Sequence, residues 1–246
     1  MALYREQGIV LRSYKLGETD RIVHVLTQGR GKVRAVAKGV RKPGSRFGGR
    51  LEPFSHVDLQ LYEGRSLDIV TQAELITPFD EVRAEWVLSA CASTMVEAVD
   101  RVAQEDERSM RLFLLLLDGL RALGRLQPGT GANFAGILDA FLFRLASVSG
   151  YHPYMDACAS CGESVDGGVF HLEAGGLLCV NCAPGDVSPL AVEVLALLRA
   201  FNTEDWDVLA QRADDPRVRR TAGTLVSSFL TYHLGKPLRA WDLVPR

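Results

Sequence analysis

Apolar and polar residues alternate along the first third of the chain with the period of two that is typical of strands. In the stretch VDLQL, Val57, Leu59 and Leu61 alternate with polar residues, which predicts a strand with one buried face. Similar runs occupy residues 9–14, 21–26, 32–37 and 68–75. Five short strands in succession predict a small closed or nearly closed barrel, since closure leaves no sheet edge exposed.

Beyond residue 78 the apolar residues recur at helical spacing. One stripe on a single helix face consists of Leu88, Cys91, Met95, Val99 and Val102. Because it lies on this stripe, Cys91 is expected to be a buried core thiol. Further helices are expected near residues 109–125 and 133–148, so the middle of the chain is predicted to be a helical bundle.

Two later dipeptides have the pattern of helix starts. Ser188-Pro189 and Asp215-Pro216 each place a capping side chain directly before a proline, which suits the first position of a helix. Two more helices are therefore expected to begin there.

Four cysteines form two C-x2-C pairs, the most specific local motif of the chain. Cys158 and Cys161 are followed after 17 residues by Cys179 and Cys182, a spacing typical of a four-cysteine zinc site. Gly162 would allow the tight turn that directs the first pair at one ion. Since four thiolates close a tetrahedral shell, we expect one structural Zn²⁺ in a zinc ribbon whose hairpin is VFHLEAGGLLC.

Two other chemistries fit this segment poorly. The HLE at residues 171–173, followed by the second cysteine pair, is partly similar to a zinc deaminase motif, but Leu178 stands where that motif needs proline. The pairs lie outside any β-α-β pattern, which argues against a thioredoxin-like redox site. We expect His152 and His171 to be loop and hairpin residues, and no catalytic constellation indicates an enzyme.

The charges of the chain are unevenly distributed. The formal net charge is −2, yet residues 1–50 hold 12 Lys and Arg against 3 Asp and Glu. This asymmetry predicts a polyanionic partner for the N-terminal part. The longest apolar run, LFLLLL, is too short for a membrane span and the N-terminus lacks an apolar signal core, so we expect a cytoplasmic protein with no membrane partner.

The basic segment, residues 38–50 with the sequence KGVRKPGSRFGGR, is the best candidate for that contact. Residues 30–50 contain eight Lys and Arg and no carboxylate, and alternation along the third strand would continue the charge onto the barrel. Gly44 and Gly49 have P-loop spacing, but Arg50-Leu51 replaces the lysine and hydroxyl residue that a P-loop needs. A solvated charge run is the plainer alternative. The candidate nucleic-acid-binding residues are Lys32, Arg34, Lys38, Arg41, Lys42, Arg46 and Arg50.

Aromatic residues near these cations could stack on bases, as they do in OB-fold barrels that bind single strands. The available residues are Tyr14, Phe47, Phe54 and Tyr62. Packing in the core or in a turn is the simpler role for each of them.

The predicted fold class is therefore an α+β multidomain protein. It comprises an N-terminal five-stranded barrel at residues 1–79 and a helical domain formed by residues 80–150 and 186–246. A four-cysteine zinc ribbon at residues 151–185 is inserted in the helical domain.

Several stretches of the chain resemble the RecO family of bacterial recombination mediators. They are GIVLRSYKLGETDRIVHVLTQGRGKVRAVAKGVRKPGSR, then GGRLEPFSHVDLQLYEGR, GYHPYMDACASCG and HLGKPLRAWDL, in order along the whole chain. The resemblance implies an OB-fold, a helical domain and a zinc ribbon, although some members of the family lack the cysteines. It also implies that the basic residues bind phosphates and that Cys158, Cys161, Cys179 and Cys182 hold zinc.

The family resemblance further implies an activity and partners. Its members bind single- and double-stranded DNA and anneal complementary strands coated by single-stranded-DNA-binding protein, whose acidic C-terminal tail is an expected contact. They work with RecR, and in some cases RecF, to load RecA during repair in the cytoplasm, at the nucleoid. The alternative from the residues alone is a zinc-ribbon and OB module that binds RNA or a transcription component.

Overall fold

The N-terminal residues form the closed barrel that the alternation predicts. The computed structural model describes residues 2–127, 133–185 and 187–245. The barrel has the strand order β1-β2-β3-β5-β4, antiparallel throughout except for the parallel pair β3 and β5. This is the arrangement of an OB-like barrel. The strands are β1 (Leu3–Leu16), β2 (Asp20–Thr27), β3 (Gly31–Ala37), β4 (His56–Tyr62) and β5 (Asp68–Thr77).

The barrel interior is filled by the apolar half of each alternating strand. Val23, Val25, Leu59 and Leu61 are among the fully buried residues of this core, where each apolar side chain contributes roughly 1.5–3 kcal/mol by burial. A bulge in β1 shifts its register with β2 between Val10 and Arg12. The bulge lets one long strand pair with both β2 and β4 and so helps to close the barrel.

The helices also follow the predicted pattern closely. The stretches expected near residues 109–125 and 133–148 are both helical. The predicted apolar stripe lies on the helix Trp86–Val102 and faces inward, with Val102 less buried than the rest. The helices are α1 (Asp80–Ala84), α2 (Trp86–Val102), α3 (Met110–Gly124), α4 (Phe134–Val148), α5 (Val192–Thr203), α6 (Trp206–Gln211) and α7 (Pro216–Leu234), with a 3₁₀ turn at Arg239–Leu243.

One of the two predicted helix starts is confirmed and the other is wrong. Asp215 caps α7, its side chain accepting the Arg217 N–H, and Pro216 occupies the first turn. The helix expected at Ser188-Pro189 begins only at Val192. Residues 188–191 are not helical because the N–H of Leu190 donates to the carbonyl of Gly168 at 2.8 Å, which ties this stretch to the zinc-ribbon region.

The chain divides into two compact units, residues 1–124 and 125–246. The first unit contains the barrel and α1–α3, and the second contains the cysteine region and α4–α7. The compact units thus group α1–α3 with the barrel, and the division into three domains with boundaries near residues 79, 150 and 185 stays a prediction. Within the described residues, no helix has the length and apolar character required to cross a bilayer.

His56 is a buried polar residue in the first unit. It lies on β4 with its ring edge against Phe113 of α3, at 5.8 Å between ring centroids. Neither ring nitrogen has a hydrogen-bond partner among the described residues. Burial lowers the pKa of His56, because the charged form would lose its hydration, and the charge of Arg121 lowers this pKa further.

We therefore expect acid to destabilise the first unit through His56. A histidine whose folded pKa lies below its unfolded value of about 6.5 leaves stability fully present above that pH, and stability is lost as the pH falls through the folded pKa. Urea unfolding at pH 7.5 and pH 5 should show this loss, and His56→Phe should reduce it. His152→Phe, at an exposed histidine, should leave the difference between the two pH values unchanged; an equal effect of both variants would contradict the assignment.

Candidate metal centre and nucleic-acid interface

Four cysteine sulfurs converge in the second unit. The Sγ atoms of the two C-x2-C pairs all lie within 4.8 Å of one another, and Cys161 Sγ is 3.9 Å from Cys179 Sγ. Tetrahedral zinc with Zn–S bonds of about 2.3 Å places its sulfurs about 3.8 Å apart. The donor set and its spacing therefore fit one tetrahedral metal ion.

Short turns and a small hairpin hold the two cysteine pairs in place. The hairpin consists of β6 (Val169–His171) and β7 (Gly176–Leu178), close to the predicted one. The Gly162 N–H donates to the Cys158 carbonyl at 2.8 Å, and Gly162 has a φ of 78°, which an L side chain would resist. Ala159 N–H donates to the Leu177 carbonyl at 2.7 Å, so the first pair is fastened to β7.

The electrostatics of the cluster favour a bound cation. Backbone N–H groups of Cys161 and Cys179 lower the pKa of Cys158 to about 6. The Glu163 N–H lowers the pKa of Cys161, but hydrogen bonds with neighbouring thiols and burial outweigh it and raise this pKa to about 12. Four thiols can thus not all ionise easily side by side, whereas a divalent ion at their centre would stabilise every thiolate.

The other candidates for metal ligands lie elsewhere. His171 Nδ1 accepts the Ala174 N–H at 3.1 Å, and His152 Nδ1 is 2.9 Å from Ser147 Oγ. Cys91 is fully buried on α2, as predicted from the stripe. Within the described residues, the group of His, Cys, Asp and Glu side chains that could hold a metal consists of the four cysteines alone.

The basic segment is a chain of turns anchored in the barrel. Successive backbone hydrogen bonds link residues three apart from Gly39 to Glu52, and no helix follows, which agrees with the rejection of a P-loop. Phe47 and Leu51 are each 1% exposed and belong to the barrel core. Asp20 accepts the Gly39 N–H at 2.7 Å, and this bond, with that of Thr19, lowers the pKa of Asp20. The segment is therefore a fixed surface of the barrel.

Five cations of the basic segment are exposed, and two of them, Lys38 and Lys42, act at longer range on Asp20, whose pKa their charges help to lower. Among the described residues, no carboxylate lies within 4.0 Å of the charged nitrogens of the five. The Arg41 guanidinium donates to the Glu18 carbonyl at 2.9 Å, Arg50 donates to the Arg46 carbonyl at 2.6 Å, and Arg46 lies 4.9 Å from the Phe47 ring centre. These neutral contacts orient the three arginines without an ion pair, so their charge remains available to an anion. The five residues are Lys38, Arg41, Lys42, Arg46 and Arg50.

The two candidates on β3 have acidic partners that the sequence did not reveal. Lys32 Nζ lies 2.6 Å from the backbone carbonyl and 3.5 Å from the carboxylate of Asp100, and Arg34 Nε lies 2.6 Å from Glu105. Asp100 continues a row of buried residues on α2, after Ala92 and Val96. A carboxylate in such an apolar row was the available signal, since a buried charge needs partners.

Asp100 is the centre of a charged cluster on the barrel. Arg12 Nη2 lies 2.5 Å from it and His24 Nδ1 lies 3.4 Å from it, in addition to Lys32. Burial alone would raise the pKa of Asp100, but the His24 hydrogen bond and the charges of Lys32 and Arg12 outweigh burial, so this pKa is lowered. The cluster fastens the C-terminal end of α2 to strands β1, β2 and β3.

The four aromatic candidates separate into two groups. Phe47 and Phe54 are buried in the barrel region and present no face to solvent. Tyr14 and Tyr62 are 44% and 38% exposed. The Arg12 guanidinium lies over the Tyr14 ring, 5.2 Å from the ring centre. Strand β1 therefore carries an exposed aromatic ring beside a cation.

Comparison with known families agrees with this architecture. The family model for the N-terminal part of recombination protein O matches residues 1–79, and the model for its C-terminal part matches residues 83–242. The chain belongs to the RecO family. The N-terminal match of the RecO family coincides with the barrel, and its C-terminal match includes all four cysteines.

Curated RecO relatives match over their full length. A DNA repair protein RecO from a Nocardioides species is 48% identical over 252 residues, covering 99% of this chain and 100% of the relative. DNA repair proteins RecO from Frankia casuarinae and Streptomyces avermitilis are 42% and 43% identical, with 100% of both chains covered in each case. These relatives are named as DNA repair proteins, and the alignments with them cover 99–100% of this chain.

Proposed function

We propose that this chain is a DNA-binding recombination mediator whose basic segment grips backbone phosphates of single- and double-stranded DNA. The observation that carries the proposal is the set of five exposed cations, none with a described carboxylate within 4.0 Å, on a segment that Phe47 and Leu51 anchor in the barrel core. Anchoring matters because a surface that is already ordered loses little conformational entropy on binding. Each phosphate that the basic segment neutralises releases counterions from the DNA, and this release is the main driving force of contacts between a protein and DNA phosphates.

Annealing follows from the same charges. Two complementary strands repel each other through their phosphates, and a cationic surface that binds both lowers this repulsion so that base pairing can nucleate. No covalent step is needed, so the chain acts as a mediator and not as an enzyme. In this proposal it works on strands coated by single-stranded-DNA-binding protein and helps to load the RecA recombinase.

The proposal includes partners, a metal and a location. The partners are RecR, the acidic C-terminal tail of the single-stranded-DNA-binding protein, and RecF and RecA as further members of the pathway. The metal is one structural Zn²⁺, since four thiolates leave no coordination position for a reacting water. The location is the cytoplasm, at the nucleoid.

The test is a titration of the purified chain with single-stranded DNA, duplex DNA and single-stranded RNA over a salt series. If all five cations contact phosphates, the logarithm of the binding constant should fall against the logarithm of salt with a slope of about 3.5 for single strands. Complementary DNA strands coated by their binding protein should also anneal faster with the chain present. Preference for RNA without annealing would instead identify an RNA- or transcription-associated module.

A further inference from the structure

A second group of basic side chains lies on the first unit, and an acidic segment of the same chain contacts its β3 part. Strands β1, β2 and β3 align Arg12, His24 and Arg34 in one cross-strand row, because Arg12 pairs with His24 and His24 pairs with Arg34. Directly opposed residues project from the same face of a sheet. In OB-fold barrels the face of strands 2 and 3 is the one that binds oligonucleotides.

The strap, defined as residues 103–107 with the sequence AQEDE, follows α2 and lies against the start of β3. The Lys32 N–H donates to the Gln104 carbonyl at 3.0 Å, and Glu105 forms bridges with Gly31 and Lys32. The approach is so close that a Cβ on Gly31 would lie 2.2 Å from the Glu107 carbonyl oxygen. The strap thus takes a place beside β3 that an extended ligand could otherwise occupy.

A polar cavity of about 190 Å³ lies beside the strap. The cations of its lining are Arg30, Lys32, Arg34 and Arg65, and the strap contributes the carboxylates of Glu105 and Asp106. Of the other two acids in the lining, Asp68 accepts the Gly64 N–H and the Tyr4 hydroxyl, and Glu63 lies 3.9 Å from Arg30. Arg34 is therefore compensated chiefly by the strap, at 2.6 Å from Glu105.

We propose that the strap is an internal competitor for nucleic acid. Its Glu105 and Asp106 carboxylates occupy the position that backbone phosphates would take. A bound strand displaces these carboxylates and so reaches Arg34 and Arg65. The Arg34–Glu105 pair is about half exposed on both sides, and such pairs contribute little to stability. Asp100 remains in place as a buried anchor, so only the strap has to move. This inference rests on the proposed DNA binding and adds a second, masked site to it.

Neutralising Glu105 tests the proposal. Glu105→Gln should tighten binding of single-stranded DNA about 5-fold at 0.1 M salt and raise the salt slope by about 0.7, the effect of one additional phosphate contact. Arg34→Ala should abolish the gain when combined with Glu105→Gln, because the cation that Glu105→Gln uncovers is then absent. The thermal midpoint of each variant checks that it is folded.

Glu107→Gln is the matched control, because Glu107 lies in the same strap and has no ion pair with a described residue. The same gain from Glu105→Gln and Glu107→Gln would overturn the proposal, since the cause would then be long-range charge. A gain that survives Arg34→Ala would overturn it too. If the original chain binds no DNA at all, the proposed function fails; if it binds DNA with a steep salt slope but Glu105→Gln has no effect, only the strap proposal fails.

Discussion

Cys158→Ser should abolish stoichiometric metal binding and unfold the region around the hairpin of β6 and β7. A structural zinc site supplies folding free energy outright, with apparent values of about 10–16 kcal/mol in zinc-finger peptides at neutral pH. The hairpin has only two strands of three residues each, and so short a sheet is not stable by itself in water. Metal analysis of the purified variant and limited proteolysis at residues 154–183 should show both losses together.

Cys91→Ala is the control for this prediction. Cys91 is a buried cysteine of α2 in the first unit, so its removal changes packing without touching the cluster. It should leave one metal equivalent and an intact ribbon, and a chelator should reproduce the Cys158→Ser effect in this variant. Retention of one equivalent by Cys158→Ser would show that the four thiolates are not the shell. The basic segment belongs to the other compact unit, so DNA binding by the Cys158 variant should persist.

The parts of the fold that depend on local periodicity were predictable from the sequence. Strand β4 buries the alternating Val57, Leu59 and Leu61, because one face of a barrel strand meets the core and the other meets solvent. Strand β1 instead buries four consecutive residues at 8–11. The apolar stripe of α2 was equally visible. The cysteine spacing also sufficed to predict that the four thiols cluster, since the geometry of each C-x2-C pair is set by a turn of a few residues and not by distant contacts.

Features that depend on distant partners were not predictable in this way. The dipeptide Ser188-Pro189 has a good helix-start pattern, but a hydrogen bond from Leu190 to Gly168 decides the backbone there. Phe47 was expected to pack in the core or in a turn, and only the structure decides between the two, because its side chain fills the barrel core. Periodicity indicates which face is buried, and it does not indicate which element covers that face.

The same limit divided the candidate DNA-binding residues. In the sequence, Lys32 and Arg34 cannot be distinguished from the cations of the basic segment, because all of them belong to one run without carboxylates. Their partners, Asp100 and Glu105, are some 70 residues away in the chain. Charge counting along a sequence therefore located the cationic region, but it could not separate the cations with a close carboxylate partner from those without one.

Lys38→Ala, Arg41→Ala and Arg46→Ala combined should weaken single-stranded DNA binding about 100-fold at 0.1 M salt. Each lost phosphate contact lowers the salt slope by about 0.7 for single strands and about 0.9 for duplex, so the slope should fall by about 2 and about 2.7. The changes leave Phe47 and Leu51 in place, so the segment should stay anchored in the core. Binding isotherms at several salt concentrations give both the affinity and the slope.

The control removes three arginines that already have carboxylate partners. Arg5, Arg121 and Arg125 are exposed and lie within ion-pairing distance of Asp58, Asp118 and Asp207. Their combined change to alanine alters the net charge by the same amount but removes cations whose field is locally cancelled, so the slope should change little. If both triple variants lowered the slope equally, binding would depend on net charge alone; if neither did, the basic segment would not be part of the DNA path. A fall confined to the first variant, with unfolding free energies alike, assigns the phosphate contacts to residues 38–50.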